Sequence, residues 1–521
     1  MNPAGFAPCE TVVKALALDA YSVTLNETVQ AMTPPIGLGK ALDDAPMTRR
    51  HKRFWLLAGL GILLDGFDFF IIGIVNPLIQ EQYNLSSATL GLVSAAAIVG
   101  AIFGAGLLGP LADKIGRRRI FIFDLWLFVI FSLACAFAPS IGLLIFFRFM
   151  VGVAIGLDYP IAASYLAEIL PKKARGRWLV GAFSLQAAGI LLAAVVGLVV
   201  LLAFAQKTAG NATHEEINIA WRVMLGFGAL PALLIIFVRR NTPESPRWLA
   251  QNGREAEAVE ITEGLAGVSV EVTDQDRRQT EASSEGLGAL LQPALFKAGM
   301  IRRTIFTAVP WFLMDIATYG VGIFTPTLLA AIAVKGSNTN FLSDDISATA
   351  ATAVLDIFLP LGFLFAVLLV DRVGRIPLQL VGFAMMAVAL GILSIADGLP
   401  GGGEDHLTLV LIGFAFFNFF MNAGPNATTY ALPAEVYPSE IRAAGHGFAA
   451  ASAKLGAAIG VFMFPILLAE VGSSVLLLGL AGVCLVAMLI TRAFRIETLG
   501  KSFEEISGAK IEALAPRPVP G

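Results

Sequence analysis

The chain has 521 residues, 56% of them hydrophobic and only 14% charged, with a formal net charge of −3. Soluble globular domains carry roughly 25% charged residues, so this composition excludes that class. The slight acidic balance leaves no global basic surface for nucleic acid.

Residues 1–48 hold no apolar run preceded by basic residues, so no cleaved signal peptide is read there. From residue 54 onward, apolar runs of about 20 residues or more recur, each long enough to cross a hydrocarbon core. Twelve spans are predicted: 54–79, 88–111, 120–138, 141–169, 176–204, 220–238, 303–333, 348–370, 378–396, 407–434, 441–469 and 473–492. The long polar stretch Arg239–Arg302 falls between spans 6 and 7. The expected division is a 1–48 extension, a first bundle over 49–238, a central loop over 239–302, a second bundle over 303–492 and a 493–521 tail.

Basic residues orient the spans. Arg49, Arg50, Lys52 and Arg53 precede span 1, and Lys114, Arg117, Arg118 and Arg119 follow span 2. Lys172, Lys173, Arg175 and Arg177 follow span 4, and Arg239, Arg240 and Arg247 follow span 6. Arg372 and Arg375 follow span 8, and Arg442 follows span 10. The opposite loops offer little more than Lys207 and Lys335, so both termini and the central loop are expected in the cytoplasm of a cell-membrane (plasma or inner membrane) protein. The sequon Asn26-Glu27-Thr28 is silent on that side, and Asn211-Ala212-Thr213 lies on the other.

The halves repeat each other. GPLADKIGRRR (Gly109–Arg119) after span 2 returns as DRVGR (Asp371–Arg375) after span 8. AEILPKKARGRW (Ala167–Trp178) after span 4 returns as AEVYPSEIRAAGHG (Ala434–Gly447) after span 10. This implies an all-α integral membrane fold of two related six-helix bundles, a design that holds its substrate between the halves near the midplane. Glycine permits the tight turn and arginine pairs with carboxylates in a fork. Asp113, Arg117, Arg118, Glu168 and Arg177, with Asp371, Arg375, Glu435 and Arg442, are therefore expected to latch the cytoplasmic side.

Several polar side chains sit inside apolar spans. Trp311, Asp315 and Tyr319 fall at i, i+4 and i+8 on one helix face. A carboxylate there is costly in a bilayer and is a functional-site candidate by default. Asp65 and Asp68 fall at i and i+3 in span 1, and Arg148 in span 4 is the expected partner of Asp68. Asn418, Asn422 and Asn426 share one face of span 10. For Trp311 and Tyr319, packing with satisfied polar tips competes with a substrate role. Gln186 and Asn426 could equally hold helices together, and Lys454 with Asp315 could be a structural ion pair. The glycines of spans 4, 5 and 11 read as close helix contacts. Cys9, Cys135 and Cys484, with His51, His214, His406 and His446, show no disulfide framework or metal spacing, so no cofactor or metal is expected.

The paired loops, together with PESPRWL (Pro243–Leu249), resemble the major facilitator superfamily over roughly residues 50–500. PESPRWL is similar to sugar porters, whose span 7 Gln-Leu-Ser motif is absent. GLDYP (Gly156–Pro160), FSLQAAG (Phe183–Gly189), WFLMDIATYG (Trp311–Gly320), NAGPNATTYALPAEVYP (Asn422–Pro438) and GHGFAAASAKLGA (Gly445–Ala457) are similar to the phosphate:proton symporter family. The resemblance implies that Tyr159, Gln186, Trp311, Asp315, Tyr319, Asn426 and Lys454 hold phosphate. It implies proton handling by Asp65, Asp158 and Asp315; Asp68 with Arg148 is read as its supporting pair. The lining departs from the family at Leu64-Asp65-Gly66-Phe67-Asp68, where Thr-Asp-Ala-Tyr-Asp is usual, and at Leu157 and Ala434, where glycine is usual.

Dihydrogen phosphate has acceptor oxygens and donor hydroxyls, which amide, indole and phenol groups on one side and a carboxylate on the other can satisfy. The expected function is a proton-coupled phosphate importer working by alternating access. A proton symporter for a sugar, organic acid or other small metabolite is the alternative within the class, and a non-transporting nutrient sensor is the alternative outside it. Partners are a small polar solute, protons and lipid. No nucleophile–base constellation suggests an enzyme.

Overall fold

The computed structural model describes residues 35–105, 115–172, 175–208, 213–240, 242–274, 276, 293–297, 299–333, 341–437 and 441–499. Among them, ten helices are long and apolar enough to cross a membrane, and Ser87–Phe103 is a shorter apolar one. The last helix, Arg442–Phe494, is divided by Gly472 at φ 80°. The described residues thus form twelve spans.

Capping explains several boundaries. Span 1 (Arg49–Tyr83) starts after Thr48, whose hydroxyl accepts from the His51 amide, and ends at Asn84 in the left-handed region. Spans 2 (Ser87–Phe103) and 4 (Ile141–Ile169) start behind Ser86 and Ser140, which cap in the same way. Span 3 is Arg117–Ala136. Span 6 starts at His214, earlier than the expected 220, on a capping box of Thr213 and Glu216, and its second piece ends at Arg239. Its polar first turn hides it from a hydropathy reading. Span 8 likewise starts at Phe341 and not at 348, because Asp344 and Asp345 depress the hydropathy of a helix that runs through them.

Span 6 breaks at Gly228, between His214–Phe227 and Ala229–Arg239, and four more spans break briefly in mid-course. Span 5 is Arg175–Phe183 and Leu185–Thr208; span 7 is Ile301–Ile323 and Thr325–Ala333; span 8 is Phe341–Asp356 and Phe358–Val373; span 10 is Leu407–Ala423 and Pro425–Val436. Span 9 is Arg375–Gly398. At the span 10 break, Gly424 takes φ −125° and ψ −98°, and Pro425 starts the next piece without needing an N–H partner.

Spans 1–6 pack among themselves, as do spans 7–12, and the halves meet through spans 1, 2 and 5 against 7, 8, 10 and 11. Their duplication extends to the backbone: Gly116 and Gly374, just before spans 3 and 9, both hold positive φ, at 107° and 95°. Spans 3, 6, 9 and 12 turn apolar residues outward, among them Ile130, Leu234, Ile395 and Leu478, each more than half exposed. Such a continuous apolar belt is suited to lipid.

The ends of the spans that carry Arg117, Arg118 and Arg375 are called here the basic end. A small unit sits beside it. Strand Ile36–Gly37 pairs in parallel with Val270–Glu271. Leu38 and Leu42 bury against Trp248, Leu249 and Leu265. Residues of the N-terminal extension and of the central loop, separate segments in the sequence reading, therefore share one core. Hydrophobic patterning cannot pair two short strands so far apart in sequence.

Candidate substrate and proton site

The cavity between the halves is lined by Gln186 of span 5, Trp311, Asp315 and Tyr319 of span 7, Asn426 of span 10 and Lys454 of span 11. Gln186 and Asn426 lie two residues past the breaks in spans 5 and 10. Broken helices are where membrane transporters place substrate groups, because the interrupted backbone lines an interior cavity and not lipid. The side chain of Tyr159 lies outside the described residues.

Span 11 reaches span 7 closely because it has no side chain at the crossing. A Cβ on Gly456 would stand 2.2 Å from the Phe312 carbonyl oxygen. This approach puts the Lys454 ammonium 2.5 Å from the Tyr319 hydroxyl, to which it donates. It also lies 4.4 Å from the centre of the Tyr319 ring. Asp315 is farther away: Lys454 Nζ to Asp315 Oδ2 is 3.8 Å, close enough for Coulomb attraction but too long for a hydrogen bond. Asp315 Oδ2 has no hydrogen-bond donor among the described residues. Trp311 and Gln186 line the cavity beside Asp315 and Tyr319, bringing an indole and an amide donor to the same space. Two buried carboxylates, Asp315 and Asp356, one ammonium and several neutral donors thus line one space.

The three asparagines of span 10 form a chain. Asn426 donates to the Asn422 side chain at 2.7 Å, Asn422 donates to the Asn418 carbonyl at 2.9 Å, and Asn418 donates to the Leu355 carbonyl at 3.1 Å. This leaves the Asn426 carbonyl oxygen as the acceptor nearest the cavity.

Aromatic pairs flank the cavity, which Phe70 and Phe183 help to line. Toward the basic end, Phe183 stacks on Tyr430 with centroids 4.8 Å apart and planes at 1°. Toward the other end, Phe70 packs on Tyr319 at 5.7 Å.

A second polar centre lies within the first half. Asp158 pairs with Arg239 at 2.8 Å, both side chains almost wholly buried. Arg239 also donates to the Leu57 and Ala58 carbonyls at 2.8 and 3.0 Å. The sequence reading took Arg239 for a loop charge; helix extends to it, and it is an interior counter-charge. Asp65 and Asp124 join the centre, and Asp65 lies within electrostatic range of both Arg239 and Lys454. Asp158 is close enough to hydrogen-bond Asp124 when one of the two carries a proton. Asp68 is set apart, paired with Arg148 at 2.7 Å. Arg148→Leu removes one side of this pair, which costs about 3–5 kcal/mol when the partner charge stays buried. The expected result is a clear fall in the unfolding temperature of the purified protein in detergent; an unchanged temperature would show that the pair does not hold spans 1 and 4 together.

At the basic end, Arg117 pairs with Glu168 at 2.9 Å and Arg375 pairs with Glu435 at 2.9 Å, equivalent contacts in the two halves. Asp371, at the end of span 8, is largely exposed and meets Arg375, at the start of span 9, across the Gly374 turn at 3.1 Å. Among the described residues the Arg118 guanidinium pairs with no carboxylate and donates to the Arg240 carbonyl at 2.6 Å. Instead the backbone amides of Arg117 and Arg118 donate to Glu244 at 2.9 and 3.2 Å, so that carboxylate caps span 3. Ser245 donates to Glu168 and ties the same loop to span 4. Arg177 is exposed, without an ion pair among the described residues. Asp113 and the Arg442 side chain lie outside the described residues.

Asp124, Arg239, Glu244 and Asp356 were not singled out from sequence. For Asp124 and Asp356 the signal was present: each is a lone acid in an apolar span, the same criterion that selected Asp315. Asp356 lines the same cavity as Asp315.

The family model for sugar (and other) transporters matches residues 54–509. A probable inorganic phosphate transporter 1-6 of Arabidopsis thaliana is 34% identical, over 90% of this chain and 96% of its own length. A putative inorganic phosphate transporter 1-13 of Oryza sativa subsp. japonica is 33% identical, over 90% and 93%. Among solved structures, the xylose transporter XylE of E. coli in a partially occluded inward-open conformation superposes with TM-score 0.69 at 22% identity, covering 87% of this chain and all of that one.

Proposed function

As this chain belongs to the sugar (and other) transporter family, with the major facilitator fold, we propose that it imports inorganic phosphate together with protons by alternating access. The observation that carries this reading is Lys454 beside Asp315 in one cavity, 3.8 Å apart, with the carboxylate Oδ2 open to a donor. The names of its relatives, phosphate transporters at 34% and 33% identity, support the same reading.

Dihydrogen phosphate would place its oxygens on the Lys454 ammonium, the Trp311 indole, the Tyr319 hydroxyl and the Gln186 and Tyr159 side chains. A phosphate hydroxyl would donate to Asp315 or Asn426. An ionised Asp315 repels the anion by about 4 kcal/mol at ~4 Å in surroundings of intermediate dielectric. A proton on Asp315 removes that repulsion, so proton and phosphate each favour binding of the other. Asp65, between the Arg239 centre and Lys454, is placed to pass protons toward the cavity, with Asp158 and Asp124 beside it. Asp68 and Arg148 hold the helices that carry them. Uptake then rises as the outside is acidified, because outward-facing Asp315 is loaded from that side.

In this reading the basic end and both termini face the cytoplasm of a cell membrane. The paired Arg117–Glu168 and Arg375–Glu435 contacts, with Asp113 and Arg442 in their loops, latch that face. The Phe183–Tyr430 stack is the thin gate above it. Phe183→Ala is expected to raise, several-fold, the rate at which a cysteine placed at Ala187 reacts with an impermeant maleimide from the cytoplasmic face, in a background lacking the native cysteines. No change in rate would remove the stack from the gate.

Sugar symport is the second reading, favoured by the family's name and the xylose-transporter fold neighbours. Ligand-induced stabilisation separates the two, since a ligand that binds only the folded state raises its unfolding temperature. Phosphate is expected to stabilise the purified protein and xylose to leave it unchanged. Stabilisation by xylose and not by phosphate would overturn the phosphate reading.

A further inference from the structure

Span 8 carries a buried polar stripe that the site described above leaves unused. Asp345, Thr349, Thr352 and Asp356 follow one another at i, i+4, i+7 and i+11, along one helix face. All four are buried, with relative exposures of 4%, 0%, 4% and 6%. The Thr352 hydroxyl bonds back to the Ala348 carbonyl at 2.8 Å. Asp345 Oδ2 and the Thr349 hydroxyl have no hydrogen-bond partner among the described residues. The stripe runs about 16 Å at the helical rise, from the end of span 8 away from the basic loops to the cavity that Asp356 lines.

No cation is set against these acids among the described residues outside the cavity. The piece Phe341–Asp356 packs on the second piece of span 5, the second piece of span 7, the first piece of span 10 and the rest of span 8. The span 7 and span 10 pieces contain no charged residue, and the span 5 piece contains only Lys207, whose side chain lies outside the described residues. Asp344 precedes Asp345 on the same helix, and Asp371 and Arg372 lie at the far end of span 8. Asp356 lines the same cavity as Asp315 and Lys454. Buried polar groups without partners are costly, and acids inside membrane spans mark ion or proton pathways. Threonine hydroxyls both donate and accept, which suits a relay through bridging water.

We propose that this stripe is a second proton route, bringing protons from the external face along Asp345, Thr349 and Thr352 to Asp356, which carries one into the transport cycle beside Asp315. The proposal rests on the symport reading. Its charge balance is simple: with Asp315 and Asp356 both ionised, the cavity is net negative against Lys454 and repels an anion. With both protonated it is net positive and matches a monoanion. Asp356 takes a proton when the cavity faces outward and releases it when the cavity faces inward, with no other bond changed. Two protons then accompany each dihydrogen phosphate.

The test is proton flux, read with an internal pH dye, against radiolabelled phosphate uptake in proteoliposomes. Asp356→Asn is expected to lower the ratio by one proton per phosphate, and Asp356→Glu to restore it. Asp345→Asn, distant from the cavity, is expected to slow gradient-driven uptake several-fold while leaving phosphate–phosphate exchange at the wild-type rate. An unchanged ratio in Asp356→Asn overturns the proposal, as does wild-type gradient-driven uptake in Asp345→Asn. A substrate-free readout separates this from failure of the phosphate reading: infrared difference spectra on acidification should show a carboxyl band in the wild type that Asp356→Asn lacks. That band, in a protein that carries no phosphate, keeps the proton route and discards the substrate. Spectra identical in both proteins discard the route.

Discussion

Asp315→Asn is expected to remove most of the stimulation of phosphate uptake by an inward proton gradient, lowering gradient-driven uptake by about 100-fold. Coulomb repulsion of about 4 kcal/mol between two unit charges at ~4 Å corresponds to roughly a thousandfold in binding. Wild-type Asp315 switches that repulsion off and on with one proton. Asparagine is neutral in every state, so this switch is lost and only the share carried by Asp356 remains. The measurement is initial uptake into proteoliposomes at fixed internal pH and fixed external dihydrogen phosphate concentration while the external side is acidified, so that the titration of phosphate itself does not enter. A profile much shallower than that of the wild type is expected in the variant. A wild-type profile in Asp315→Asn would assign the main coupling proton to another group, with Asp65, which lies within electrostatic range of Arg239 and Lys454, the first candidate.

Lys454→Ala is expected to raise the KM for phosphate by about 100-fold, a loss of about 3 kcal/mol, the lower end of what removing one partner of a buried pair costs. The ammonium is the cation in the cavity lining, it donates to Tyr319 at 2.5 Å, and it offsets Asp315. Its removal leaves the anion opposed by carboxylates. Lys454→Arg keeps the charge but is too long and planar for the place over the Tyr319 ring, so it should recover only part of the affinity. A neutral sugar does not need this charge. Normal uptake of any solute by Lys454→Ala would therefore assign the cavity to an uncharged substrate.

Much of this architecture was legible in the residues. Runs of apolar residues marked the spans, and the repeated Gly-Arg loops marked the duplication, now seen in Gly116 and Gly374 at nearly the same backbone angles. Trp311, Asp315 and Tyr319 could be placed on one helix face by spacing alone. The convergence of Gln186, Asn426 and Lys454 on that face could not, because it depends on helix breaks and on the close crossing at Gly456, which are properties of packing. Hydropathy misplaced the starts of spans 6 and 8 because it counts polar first turns as loop. The same bias hid Asp345, which lay before the expected start of its span. Arg239 was hidden by the opposite habit: a basic residue at a span end was assigned to orientation, whereas the helix buries it against Asp158. Asp124 and Asp356 escaped through uneven use of a sound criterion. The union of residues 36–45 with the central loop rests on a two-residue parallel pairing that no local pattern encodes.

The central claim is that this cavity couples phosphate to protons. The measurement that tests it most directly is radiolabelled phosphate uptake into proteoliposomes of purified protein, with and without an imposed inward proton gradient. Accumulation above the external concentration only when the gradient is present, and its collapse by a protonophore, is the predicted result. Absence of phosphate uptake by protein shown to be folded, or uptake that ignores the gradient, would contradict the account.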